Sequence, residues 1–308
     1  MPTPNWLRRR GARPQPSDDK LWEICPSCHE RLYIKDLDEQ LRVCPKCGHH
    51  FRLPALDRVA LLADGDFEEI AANLVTSDPL RWTDRMPYPK KTEGDREKSG
   101  LLEAVIVGFC TVDAIPIGLG VMDFFFRGGT MGGVVGEKVT LLIEECARRK
   151  VPCVIVTASG GARMEEGVIA LMQLAKTSAA VERFGALSLP LISILTDPTT
   201  GGVSASFGFQ ADVVIAESGA AIGFAGRRVI DQTIRQKLPE GFQTAEFLLE
   251  HGQVDMVVRR AEMKSALASV LRFFTARAEI GASVGARAAA GARSAGGRAP
   301  AGARTARA

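Results

Sequence analysis

The chain is short of the groups that usually carry acid–base catalysis. Its 308 residues include four histidines, His29, His49, His50 and His251. The first three stand beside cysteines, and His251 precedes Gly252 where a helix is expected to end, a position that suits a C-terminal cap. A Ser–His–Asp relay is therefore not expected, although Ser159 and Ser204 lie in glycine-rich loops. There is no uninterrupted apolar run of about 18 residues, so no membrane-spanning helix is predicted. Residues 1–19 are rich in Pro and Arg and lack the apolar segment of a secretory signal. No stretch reads GxGxxG, and residues 132–138 (GGVVGEK) are not GxxxxGK[ST], so the common nucleotide fingerprints are missing.

What is present is ordinary globular composition, 46% hydrophobic and 24% charged, which argues against a disordered or fibrous chain. The formal net charge of +3 is a local feature. Residues 281–308 hold 12 Ala, 6 Gly and 5 Arg and no acid, so the rest carries 34 basic against 36 acidic residues. That tail has no apolar periodicity and is expected to be disordered, as are residues 1–20. The charge pattern makes a nucleic-acid partner unlikely and names no membrane.

The seven cysteines divide into a cluster of four and three scattered thiols. Cys25-Pro-Ser-Cys28 and Cys44-Pro-Lys-Cys47 form a C-x2-C-x15-C-x2-C array. Two residues between thiolates let one tight turn aim both sulfurs at one ion, and two such knuckles complete a tetrahedron. Residues 21–53 are therefore expected to be a zinc ribbon with one structural Zn²⁺, and residues 31–37 and 40–43 read as its short strands. About 33 residues are too few to fold without such a staple. Clustered pairs in an odd total fit a reducing compartment, and a cytoplasmic location is expected. The loop between the knuckles holds four acids (Glu30, Asp36, Asp38, Glu39) against three bases (Arg31, Lys35, Arg42), a poor face for phosphates.

From residue 54 to 280 a second domain is expected. Residues 84–99, charged and proline-containing, read as a surface excursion. Strands are then predicted over 103–110, 115–125, 151–157, 189–196 and 212–216. They alternate with helices over 136–150, 165–184, 202–209, 244–251 and 261–277, which argues for an α/β fold. Three glycine-rich joints, residues 127–136, 159–163 and 197–204, each follow an apolar strand and open a helix. Backbone N–H groups at such places suit an anion or a developing oxyanion. Glu165 and Glu166 are possible carboxylate bases, although acidic residues also favour a helix's first turn for dipole reasons. If the chain is an enzyme, it is expected to hold an oxyanion with backbone amides and to take its base from substrate or cofactor.

The ribbon, Gly132–Lys138, Ala158–Met164, Thr196–Ser206, Ile222–Gly226, Arg228–Thr233 and Leu238–Phe242 together resemble the carboxyltransferase β subunit family of multi-subunit acetyl-CoA carboxylase. The likeness runs from about residue 21 to 277. It implies a crotonase-like fold of stacked ββα units behind the zinc ribbon. It also implies transfer of a carboxyl group from carboxybiotin, delivered by a carrier protein, to acetyl-CoA, giving malonyl-CoA for fatty acid synthesis. The implied partners are a carboxyltransferase α subunit in an α2β2 assembly, the biotin carboxyl carrier protein and biotin carboxylase. Gly201 and Gly202 are the implied oxyanion pair, with Gly160 and Gly161 second. Arg163, Arg227 and Arg228 are candidates for contacts with the CoA phosphates or at the interface, and internal salt bridges are the competing reading. Thr200 stands where many relatives carry Met. Two alternatives remain: another crotonase-fold acyl-CoA enzyme, a hydratase or decarboxylase resting on Glu165 and Glu166, and a zinc-ribbon regulator that binds nucleic acid.

Overall fold

A computed structural model describes residues 21–226, 230, 233, 238–239 and 241–276. Both expected tails, 1–20 and 281–308, lie outside the described residues. Among those that are described, no helix is long and apolar enough to cross a membrane.

The main domain is built on one eight-stranded sheet. Its strands are β3 (Glu68–Ile70), β4 (Val105–Val112), β5 (Ile115–Met122), β6 (Cys153–Ser159), β7 (Leu191–Thr200), β8 (Val213–Glu217), β9 (Ile222–Gly223) and β10 (Met256–Val258). The order is β10-β8-β7-β6-β5-β4-β3, with β9 added beside the end of β7. β3, β4 and β5 run antiparallel, and β5 to β8 and β10 are parallel. The parallel strands read as continuous apolar runs because both faces are covered; β6 is buried at every position. Successive side chains serve opposite faces: Val154 and Val156 join one core, Cys153 and Ile155 the other.

One face packs on α2 (Ala55–Leu62) and a helix over 263–276, here α6, through Val59, Leu62, Leu267 and Leu271. The other packs on α4 (Gly133–Arg149) and α5 (Gly167–Gly185). On α4 the apolar stripe Val135, Val139, Leu142, Ile143 and Cys146 is buried at helical spacing. The helix sits close because β5 presents glycine to it: a Cβ on Gly118 would lie 2.1 Å from the Cys146 sulfur.

One expectation is sharpened and one corrected. The surface excursion over residues 84–99 is mostly helical, with α3 (Tyr88–Ser99) occupying most of it and only Tyr88 and Thr92 of the helix buried. Pro89 falls in the first turn, where it costs no hydrogen bond, and Gly100 ends the helix in a left-handed conformation. In the ribbon, β1 (Trp22–Ile24) pairs with β2 (Arg31–Tyr33). The chain then coils into α1 (Ile34–Glu39) where a longer strand was predicted, and residues 40–43 contribute only a bridge from Val43 to His50.

Candidate metal centre and glycine-loop site

The four ribbon cysteines bring their sulfurs within 4.8 Å of one another. Cys25 and Cys47 lie 3.7 Å apart, as do Cys28 and Cys44. A tetrahedral zinc with Zn–S of about 2.3 Å requires sulfur separations of about 3.8 Å, so the donor set fits that ion. The two knuckles are built alike. His29 and Gly48 each follow the second cysteine of a pair, have positive φ, and donate back to Cys25 and Cys44 carbonyls at 2.9 Å. The ribbon's own core is Cys25, Leu32, Leu37, Cys44 and Phe51, too little to hold it together without metal.

The ribbon is also tied to the main domain. Arg260, fully buried, donates to the carbonyls of Leu41 and Phe51 at 2.8 Å and to both oxygens of Glu217. Arg58 donates to the same carboxylate at 2.5 and 3.2 Å. Burial alone would raise the Glu217 pKa, but the two arginines hold it well below the usual carboxylate value. A cleft of about 310 Å³ opens at this seam between the second knuckle, Asp197 and residues 217–220.

The three glycine joints meet at the C-terminal ends of β5, β6 and β7. The first two are zipped together: the Gly160 amide donates to the Gly128 carbonyl at 2.9 Å, Met131 to Gly161 at 2.8 Å, and Arg163 to Met131 at 2.9 Å. The third touches the second backbone to backbone. A Cβ on Gly201 would stand 2.9 Å from the Gly161 Cα, and both glycines have positive φ, +62° and +111°. Only glycine satisfies both conditions there. The Thr200 hydroxyl adds a hydrogen bond to the Ser159 carbonyl at 3.2 Å.

These contacts decide which amides are left without a partner. Gly160 donates to Gly128, Gly161 to the Ser159 hydroxyl at 3.0 Å, and Gly201 to the Phe224 carbonyl at 2.7 Å. Among the described residues, no acceptor pairs with the amides of Ala162 or Gly202. In a trans peptide the C=O and the next N–H point in opposite directions. The Gly161 carbonyl is held by Met131, which turns the Ala162 N–H away from the first joint. The Gly201 carbonyl accepts from the Ser204 hydroxyl at 2.9 Å inside the following turn, which turns the Gly202 N–H away from that turn. Of the four glycines predicted, only Gly202 is left with an unpaired amide among the described residues, and Ala162 is a second candidate donor, one that the sequence reading did not name.

The candidate side chains sort differently. For Arg163 the geometry favours the competing reading of internal salt bridges over phosphate or interface contacts, because its side chain is fully buried. Its guanidinium donates to Glu103 at 2.5 and 3.1 Å, Glu166 at 3.2 Å, the Tyr88 hydroxyl at 3.0 Å and the Thr130 carbonyl at 2.8 Å. Arg227 and Arg228 lie outside the described residues. Glu166 accepts from the Gly133 amide and the Tyr88 hydroxyl, both at 2.6 Å, and from Thr76 at 2.9 Å. Glu165 pairs with Arg127 at 3.1 Å. Both carboxylates are engaged in holding loops, which leaves the hydratase alternative without its acid–base pair. His251 caps its helix, its Nδ1 2.7 Å from the Phe247 carbonyl. Exposed apolar side chains stand on the segments next to these loops: Met164, 82% exposed, Phe224, whose carbonyl takes the Gly201 amide, and Val168, Leu171 and Met172 along α5. The site has one wall and a large uncovered apolar rim.

Known proteins carry the same pattern. The carboxyl transferase domain family matches residues 74–270, and the acetyl-CoA carboxylase zinc finger domain family matches residues 22–47. The acetyl-coenzyme A carboxylase carboxyl transferase subunit beta of Synechococcus sp. (strain CC9605) is 51% identical over 255 residues, covering 82% of this chain and 87% of the relative. The protein of the same name from Citrifermentans bemidjiense is 51% identical over 252 residues, 82% and 89% of the two chains. Among solved structures, transcarboxylase 12S with methylmalonyl-coenzyme A bound superposes with a TM-score of 0.61 at 21% identity. That match covers 77% of this chain and 42% of the transcarboxylase, so the chain spans about two-fifths of that protein. A Pseudomonas malonate decarboxylase hetero-tetramer superposes at 0.58 and 23% identity, covering 72% and 82%.

Proposed function

The chain belongs to the carboxyl transferase family, as an acetyl-CoA carboxylase carboxyltransferase β subunit, and on that premise we propose that the Ala162 and Gly202 amides hold the enolate of acetyl-CoA. The fold is crotonase-like α/β with an N-terminal zinc ribbon. The enzyme moves a carboxyl group to acetyl-CoA to give malonyl-CoA, and carboxybiotin supplies that group when its carrier docks.

Removing an α proton from a thioester places negative charge on the thioester oxygen. Two N–H donors fixed before the reaction stabilise that charge without having to reorganise. The observation that carries this reading is the pair of unpaired amides on two loops packed Cα to Cα. Among the described residues no histidine or carboxylate stands free at these loops to act as base, which supports a proton acceptor that comes with the substrates. The ribbon's zinc is structural, since four thiolates leave no open position.

A β subunit works with partner subunits. We assign the uncovered apolar rim beside Met164 and α5 to the carboxyltransferase α subunit, and the incoming carboxyl group to the biotin carrier served by biotin carboxylase. Four ribbon thiols that must stay reduced support a cytoplasmic location. The test is reconstitution. The purified chain is expected to form no malonyl-CoA alone and to form it when mixed with the α subunit and carboxylated carrier. Robust decarboxylation or hydration by the chain alone would refute the assignment.

A further inference from the structure

The second loop is held by a segment far away in sequence. α3 and the residues before it lie across the loop, and Tyr88, 1% exposed, reaches its interior. The Tyr88 hydroxyl donates to Glu166 at 2.6 Å and accepts from Arg163 at 3.0 Å. Thr76 donates to the same Glu166 oxygen at 2.9 Å, while the other oxygen takes the Gly133 amide at the start of α4. Glu103, just before β4, takes two N–H groups of Arg163, and the Thr130 carbonyl and hydroxyl take two more. The whole Arg163 fork is thereby committed, and so is the direction of its backbone.

That matters because Arg163 stands next to Ala162. The Arg163 amide and the Gly161 carbonyl both bond Met131, one on each side of Ala162. The peptide that carries the Ala162 N–H is thus clamped between two hydrogen bonds. The Arg163 side chain locks the same clamp by gripping Thr130, the neighbour of Met131. Shifting Arg163 would turn the Ala162 N–H without removing it.

Building on the oxyanion reading above, we propose that Tyr88 and Glu166 are positioning residues for the reaction: they hold Arg163 and thereby aim the Ala162 amide at the thioester oxygen. Neither touches substrate. The segment 74–99 is then part of the active site's support.

The test uses the full chain assembled with its α subunit, in Tyr88→Phe, Glu166→Gln and Thr76→Val variants. Misplacing a reacting group by a fraction of an ångström costs rate with little loss of ground-state binding, so kcat is expected to fall about tenfold in the first two and about threefold in the third. KM for acetyl-CoA is expected to stay within about twofold. Amide hydrogen exchange over 159–163 should quicken in the same order. If Tyr88→Phe or Glu166→Gln fails to assemble, the milder Thr76→Val decides by the same two readouts. Unchanged kcat with unchanged exchange, or a rise in KM at constant kcat, would overturn the proposal. Gly161→Ala separates the two levels, since its Cβ would wedge between the loops. If that variant keeps its kcat, the oxyanion reading itself fails. If it loses kcat while the Tyr88 and Glu166 variants keep theirs, only the positioning role fails.

Discussion

Two clusters of buried charge organise this protein, and they are opposite in sign. The cluster behind the second loop has one cation, Arg163, and two carboxylates, Glu103 and Glu166. The cluster under the ribbon has one carboxylate, Glu217, and two cations, Arg58 and Arg260. A buried surplus charge must find hydrogen-bonding partners, and its sign decides which kind. The acidic cluster recruits donors: the Tyr88 and Thr76 hydroxyls and the Gly133 amide. The basic cluster recruits acceptors: the carbonyls of Leu41, Arg42 and Phe51. One therefore fastens a helix start and the segment over 74–99 to the glycine loops, and the other fastens the zinc ribbon. The difference is that the second set of partners exists only while metal shapes the ribbon.

The largest expected effect breaks that symmetry through the metal. Stripping zinc with a chelator should unfold residues 21–53, since their small core cannot stand alone. Limited proteolysis should then cut the ribbon while the strap over 74–99 stays protected. Equal cleavage of both would mean that the two clusters are not independent.

Next in size is Glu217→Ala, which leaves two buried arginines without a counter-charge. Breaking a buried pair in this way costs roughly 3–5 kcal/mol, and arginine cannot shed its proton to relieve it. Arg163→Met should cost less, because the stranded Glu166, unlike an arginine, can change its protonation state. The pH dependence separates the two. In the native chain Glu166 would be raised by burial, but the Gly133 amide, Tyr88 and Arg163 bring it below the ordinary carboxylate value. A depressed folded pKa contributes stability above the unfolded value of about 4.3, and that stability is lost as pH falls through the folded value. The stability gap between wild type and Arg163→Met should therefore narrow as pH drops from 7 toward 4, while the gap for Glu217→Ala should not close in the same way. Urea unfolding across that range measures both.

The contrast also explains what could be read from the sequence. The zinc ligands were legible because a metal imposes spacing on its cysteines. The strand–helix alternation was legible because buried parallel strands are continuous apolar runs, and β6 and α4 lie close to their predicted places. α3 was not, since only Tyr88 and Thr92 of its twelve residues are buried and no apolar stripe marks it. It is held by tertiary contacts of single polar groups. Ala162 escaped notice because a backbone donor leaves no trace in residue type. Arg163 looked like a phosphate ligand because the pairing residue Glu103 is 60 positions away.

The central claim is that two loop amides, set by the Gly161–Gly201 contact, hold the enolate. The most direct measurement is malonyl-CoA formation by the Gly201→Ala chain assembled with its α subunit. A Cβ there meets the Gly161 Cα at 2.9 Å and must part the loops. With assembly and zinc content unchanged, kcat is predicted to fall on the order of a hundredfold or more, as when an oxyanion donor is lost. An assembled, zinc-loaded Gly201→Ala enzyme with wild-type kcat would contradict the account.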